Sequence, residues 1–205
     1  MKKKKSHGAG LLASDRDWHN NAFLYPHSPM DVGTAYTEGY RRAADILIRH
    51  INLTARDQDF LVYPVVFLYR HHIELQIKQV TGLARELLLD DDSRGSSKAT
   101  HNLNSLWEAA RKVLRRADDR LVPSDFTRIS AVVKELNEVD LSATGFRYAR
   151  TREGGRSLEG IPYINTRRFG EQMAAASDDL DGIDTGLRYL LDLESEMRGH
   201  EDGFF

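Results

Sequence analysis

The chain has 205 residues, 40% of them hydrophobic and 29% charged, with a formal net charge of -2 at pH 7. That balance describes one ordinary globular domain with decorated ends, and a chain that is not basic overall must confine any nucleic-acid surface to a local patch. The absence of cysteine excludes disulfides, thiolate zinc sites and cysteine nucleophiles, and no apolar run is long enough to span a bilayer.

Residues 1–27 read as an arm that begins with Lys2–Lys5, a run that can add sequence-independent attraction to phosphates. The Gly-Ala-Gly-Leu-Leu-Ala that follows is too short for a secretory segment, so the expectation is a cytoplasmic protein. Trp18, Phe23 and Tyr25 suggest that the later part of the arm packs on something.

Residues 28–198 are expected to form a single helical domain, followed by a tail over 199–205. Ser28-Pro29 is a helix-start signal. Val32, Tyr36, Tyr40, Ala43, Leu47 and Ile51 then recur at helical spacing, and the helix is expected to end near Asn52–Thr54. A polar link, Ala55–Asp59, leads to Tyr63–Val80, the stretch around which the chain is organised. It is apolar almost all the way round, as a buried central helix is, yet it carries Arg70, His71, His72, Glu74 and Lys78. Ionisable groups in such a helix must be paired, hydrated or functional. Arg70 and Glu74 are four apart and share a side of the helix. They are either an internal ion pair that orients neighbouring helices or half of a polar site completed elsewhere in the chain. His72, on the aliphatic stripe, reads as a hydrogen-bonded core histidine. Pro64 requires that the helix start close by or kink there.

Asp90 to Lys98 is charged, small and aperiodic, and is expected to be a solvated loop; its three aspartates lack the spacing of a calcium loop. No metal site or cofactor site is expected. A third helix opens at Thr100-His101-Asn102, with Thr100 or Asn102 as its cap and Arg111, Lys112, Arg115 and Arg116 on its outer face. A fourth carries Phe126, Ile129, Val133, Leu136 and Val139. The period then changes. Phe146-Arg147-Tyr148 and Ile161-Pro162-Tyr163 alternate around Glu153-Gly154-Gly155-Arg156, which predicts a small β-hairpin over about 146–164 with Tyr148 opposite Ile161 and Phe146 opposite Tyr163. Arg147, Arg150, Arg152 and Arg156 make it strongly basic. Asn165 or Thr166 caps the last helix, whose seam Phe169, Met173, Ala176, Leu180, Ile183, Leu187, Leu190 and Met197 predicts a long packed element. Gly182 and Gly186 suggest close approach of another helix there. The fold class is therefore all-α, a bundle of about five helices with one small β-hairpin insertion.

The combination of Tyr69-Arg70-His71-x-Ile73-Glu74-Leu75-x-Ile77-Lys78, His101-Asn102-Leu103-x-x-Leu106-Trp107 and Phe146-Arg147-Tyr148 resembles the HEPN-like helical proteins of prokaryotes, over about residues 30–197. The resemblance implies an up-and-down bundle, frequent dimerisation, and RNA binding or metal-independent RNA cleavage in toxin–antitoxin or anti-phage defence. The family's signature is an Arg, a polar residue, several spacers and a His. Arg94 and His101 match its spacing, with Gly95 where the family prefers a polar side chain. On this reading His101, Arg70, Glu74 and Arg94 are the catalytic candidates, while Arg147, Arg150, Arg152, Arg156, Arg111 and Arg115 are RNA-binding candidates. A histidine would move the proton and an arginine would hold the phosphate. The alternative is a non-catalytic interaction subunit that meets a second copy or a protein partner through the 169–197 helix.

Overall fold

A computed structural model describes residues 11, 16–24, 32–89, 102–121, 126–140 and 143–201. Five α-helices form the body: α1 (Val32–Thr54), α2 (Gln58–Leu87), α3 (Leu103–Ala117), α4 (Thr127–Val139) and α5 (Thr166–Glu201). No strand forms among the described residues, and no described helix is long and apolar enough to cross a membrane.

Helix α2 is the hub. It packs against α1, α3 and α5, and its buried residues run from Val65 to Ala84 on several faces. Burying apolar side chains on all sides is what the unbroken apolar run between Tyr63 and Val80 demands. The helix begins earlier than the apolar run does. Ala55 and Asp57 take positive φ angles, turning the chain within three residues so that α2 starts at Gln58. Pro64 therefore lies inside the helix, where it has no N–H to give to the preceding turn. It is tolerated because Phe60, Tyr63 and Pro64 face outward.

Caps follow the short polar side chains. Asn102 Oδ1 accepts from Ser105 N at 2.9 Å and opens α3. Asn165 Oδ1 accepts from Arg168 N at 3.0 Å and opens α5. Both satisfy amides that have no partner within their helix. The α1 start signal at Ser28-Pro29 and the loop from Asp90 to Lys98 lie outside the described residues. In the arm, Phe23 is largely exposed, and Tyr25 lies outside the described residues.

Polar groups lock α1, α2 and α5 together. His72 is fully buried, with Nδ1 3.0 Å from the Thr37 carbonyl of α1 and Nε2 2.9 Å from Ser177 Oγ of α5. A carbonyl only accepts, so Nδ1 carries the proton, while Ser177 Oγ stands 2.9 Å from both Nε2 and the Met173 carbonyl and its single proton serves one of them at a time. Gln76 donates to the Ser177 carbonyl and to Asp181, and Arg41 of α1 pairs with Asp178 and Asp181. The same helices touch closely at Gly170, where a Cβ would stand 3.0 Å from Ile48 Cγ2. Gly182 and Gly186 have no such neighbour, which corrects the expectation of close approach at that pair. The seam of α5 is buried through Leu187. Beyond it Tyr189, Leu193 and Met197 are exposed.

The expected hairpin over 146–164 is replaced by turns with a single antiparallel bridge, Arg150 to Arg156. Phe146 is buried while Tyr148 and Tyr163 are exposed, so the expected cross-strand pairs do not form. The physical reason lies in the turns. Thr144 C=O accepts from both Arg147 N and Tyr148 N, curling the first segment, and Gly154 and Gly160 both take positive φ. Two turns so close together leave no room for a ladder.

Candidate nucleic-acid interface

The turn segment after α4 builds a surface groove of about 690 Å³ against the first turns of α2. Its lining includes Arg147, Arg150 and Arg156 together with Tyr63 and Tyr148. The segment is anchored from below. Asp140, buried at the end of α4, accepts from Thr144 N through Oδ1 and from Gly145 N through Oδ2, each at 2.9 Å. Such a cradle leaves little space, and a Cβ on Gly145 would come within 3.0 Å of Leu158 Cδ2 and 3.3 Å of Asp140 Cγ.

Asp140 is also where the groove meets the buried charges of α2. Arg70 and Glu74 are each 3% exposed, with Arg70 Nη1 3.4 Å from Glu74 Oε2. Lys78 Nζ lies 2.7 Å from Glu74 Oε1 and carries that charge pair to the surface. Burial pulls the Arg70 guanidinium below its ordinary range, while the fields of Glu74 and then Asp140 act to restore it. Arg70 thus feels the charges of both Asp140, which favours its cation, and Arg147 of the groove, which opposes it. Buried opposite charges in this geometry hold elements in place, and breaking one side leaves an uncompensated charge.

Arg147 itself is well fixed. Its Nε donates to the Ala143 carbonyl at 2.8 Å, and its guanidinium carbon sits 5.6 Å from the ring centroids of both Phe67 and Tyr148. Phe67 in turn stacks on His71, whose ring meets the Tyr40 ring edge-on at 4.4 Å. Burial lowers the His71 pKa. Arg150 Nη1 donates to the Gly154 carbonyl at 3.0 Å. Among the described residues none of Arg147, Arg150 and Arg156 forms an ion pair with a carboxylate. Tyr63 and Tyr148 are 48% and 60% exposed, so ring area is open beside the cations.

The candidates named from the sequence thus separate. Arg147, Arg150 and Arg156 come together in one groove. Arg152 is exposed in the adjoining turn and does not line it. Arg111 pairs with Glu108 at 2.8 Å and lies over the Phe126 ring, and Arg115 is exposed on α3; neither lines the groove. Arg70 and Glu74 sit too deep to touch a ligand in the groove. His101 and Arg94 lie outside the described residues. Sequence reasoning passed over Asp140, whose bonds reach amides four and five residues on, beyond the two-residue span by which an Asx turn is read from sequence. It also passed over Tyr63 and Tyr148 as groove residues. Among the described residues no cluster of three histidine, aspartate or glutamate side chains is placed to hold a metal. Comparison of the whole chain with protein-family models, curated proteins and solved structures finds no match.

Proposed function

We propose that this chain is an RNA-directed helical protein that holds a single strand in the groove formed by Arg147, Arg150, Arg156, Tyr63 and Tyr148. The observation that carries the reading is the pairing of three cations that have no carboxylate partners among the described residues with two exposed aromatic rings. Phosphates are met by guanidinium groups, and unpaired bases stack on tyrosines. The described groove lining contains no histidine and no carboxylate, so its chemistry is binding. Metal-independent cleavage, the activity that the HEPN-like resemblance implies, would need His101 as the proton carrier at the strand held there.

The test is anisotropy of a labelled single-stranded RNA with purified full-length protein, beside Arg147→Gln and Arg156→Gln. Each substitution is expected to weaken binding and to reduce the salt slope by about 0.7, from about -2 for three phosphate contacts on a single strand. Unchanged affinity in both variants would overturn the groove. Cleavage is read on the same RNA without metal, with a folded His101→Ala chain as the comparison. Loss of cleavage in that chain supports the ribonuclease reading, and intact cleavage removes His101 from it.

A second reading has one observation in its favour. The exposed Tyr189, Leu193 and Met197 on the far part of α5 leave apolar surface for a second copy or another protein. Mass measurement in solution, with Leu193→Glu as the comparison, decides whether that surface is used.

A further inference from the structure

The arginine groove does not end at its cations. Phe146 and Ile161 form a wall that it shares with a second cavity of about 370 Å³, which opens between α4 and the start of α5. This slot is built differently. Its floor is apolar, made by Val66, Leu136, Phe169 and Met173 among others, and its polar side chains are two amides, one carboxylate and one guanidinium: Asn165, Gln172, Glu135 and Arg168. The shared wall makes groove and slot one continuous surface, cationic at one end and apolar at the other. Tyr163, 91% exposed, stands at the rim.

Resting on the RNA reading of the groove, we infer that the slot receives one unpaired nucleobase of the bound strand while Arg147, Arg150 and Arg156 hold the flanking phosphates. A phosphate has no reason to enter a slot whose walls are apolar and whose formal charges cancel. A planar heterocycle does, because its faces gain from apolar and aromatic walls and its edge needs a few donors and acceptors. The Gln172 amide suits that edge with a donor beside an acceptor, and Asn165, whose Oδ1 already caps α5, adds its amide NH2. The volume lies within the range of pockets that enclose small molecules, roughly 300–1,000 Å³. Tyr163 is placed to stack the next base outside the slot.

The test compares full-length protein binding to a short single-stranded RNA and to an abasic oligonucleotide of the same length, which keeps the phosphates and lacks the bases. The intact RNA is expected to bind about tenfold or more tighter. Val139→Trp then fills the slot from its half-open edge, with melting followed by circular dichroism to confirm the fold. This variant is expected to lose part of the preference for intact RNA and to keep the part supplied by stacking on Tyr63, Tyr148 and Tyr163; an undiminished preference in the folded variant would overturn the base slot. As a readout that needs no variant, 2-aminopurine placed in the RNA is expected to change its fluorescence on binding. Equal binding of intact and abasic strands by the wild type, with no fluorescence change, would overturn the base slot together with stacking on the tyrosines and leave only phosphate binding by the arginines. Binding of neither strand would overturn the RNA reading and the slot with it.

Discussion

At the scale of single residues, two glycines of one helix are expected to respond with different magnitude to the same change. At Gly182 an added Cβ meets open space, so Gly182→Ala keeps every contact and removes backbone freedom from the unfolded chain, a gain of about 0.5–1 kcal/mol. At Gly170 the same methyl meets three atoms of Ile48 at 3.0–3.2 Å. Crowding of that kind costs about 1–3 kcal/mol and cancels the helix gain. Urea unfolding of the two variants should therefore separate them by about 1 kcal/mol or more, with Gly182→Ala the more stable. Equal stabilities would mean that α1 and α5 give way freely at their crossing. The glycine that matters was not the one that sequence spacing suggested. A four-residue repeat of small side chains is visible in the sequence, whereas the presence of a neighbouring helix is a tertiary fact.

At the scale of elements, the segment between α4 and α5 shows where local pattern stops being informative. Alternating Phe146-Arg147-Tyr148 and Ile161-Pro162-Tyr163 around a Gly-Gly pair satisfies every local rule for a hairpin. The chain makes turns instead, because the Thr144 carbonyl takes the amides of Arg147 and Tyr148 and the segment turns again at Gly154 and Gly160, beside amides of Thr144 and Gly145 held by Asp140. The helices, by contrast, were legible almost to their ends. Their apolar spacing, and the caps at Asn102 and Asn165, depend on neighbours within four residues. The cations of the groove were legible as residue types. Their convergence, and the burial of Arg70 and Glu74 as a pair outside the groove lining, were not. Asp140→Asn can keep one of the two amide bonds but gives up the charge facing Arg70. It is expected to destabilise the fold by about 1–3 kcal/mol and to weaken RNA binding without altering Arg147, Arg150 or Arg156. Full stability with full binding in Asp140→Asn would show that the segment holds its shape without the cradle.

For the whole molecule, the joint between α1, α2 and α5 sets a direction of response to acid. Burial lowers the pKa of His72, and of His71 beside it, below the ordinary 6.5. The unfolded chain then binds more protons than the folded one as pH falls below about 6.5, so stability present above that value is lost on acidification. The groups facing His72 include Arg41, Glu38 and Asp181, whose fields on the ring partly oppose one another. Burial raises the pKa of Asp181, which acts in the opposite sense at lower pH, where the folded chain takes up its proton before the unfolded one does. Urea midpoints should therefore fall between about pH 7.5 and pH 5.5. A midpoint that does not move over that interval would show that the histidine joint accepts a proton at no cost.

The three-residue turn between α1 and α2 has a kinetic consequence. It lets the hub and its first partner meet after a very small loop closure, whereas Arg41 must find Asp178 and Asp181 across nearly the whole remaining chain. The early pair carries His72 and Gln76 on surfaces whose partners in α5 lie about a hundred residues further on. On this topology the docking of α5 is expected to carry most of the loop-closure cost, which slowed folding and unaltered unfolding in Ser177→Ala would check.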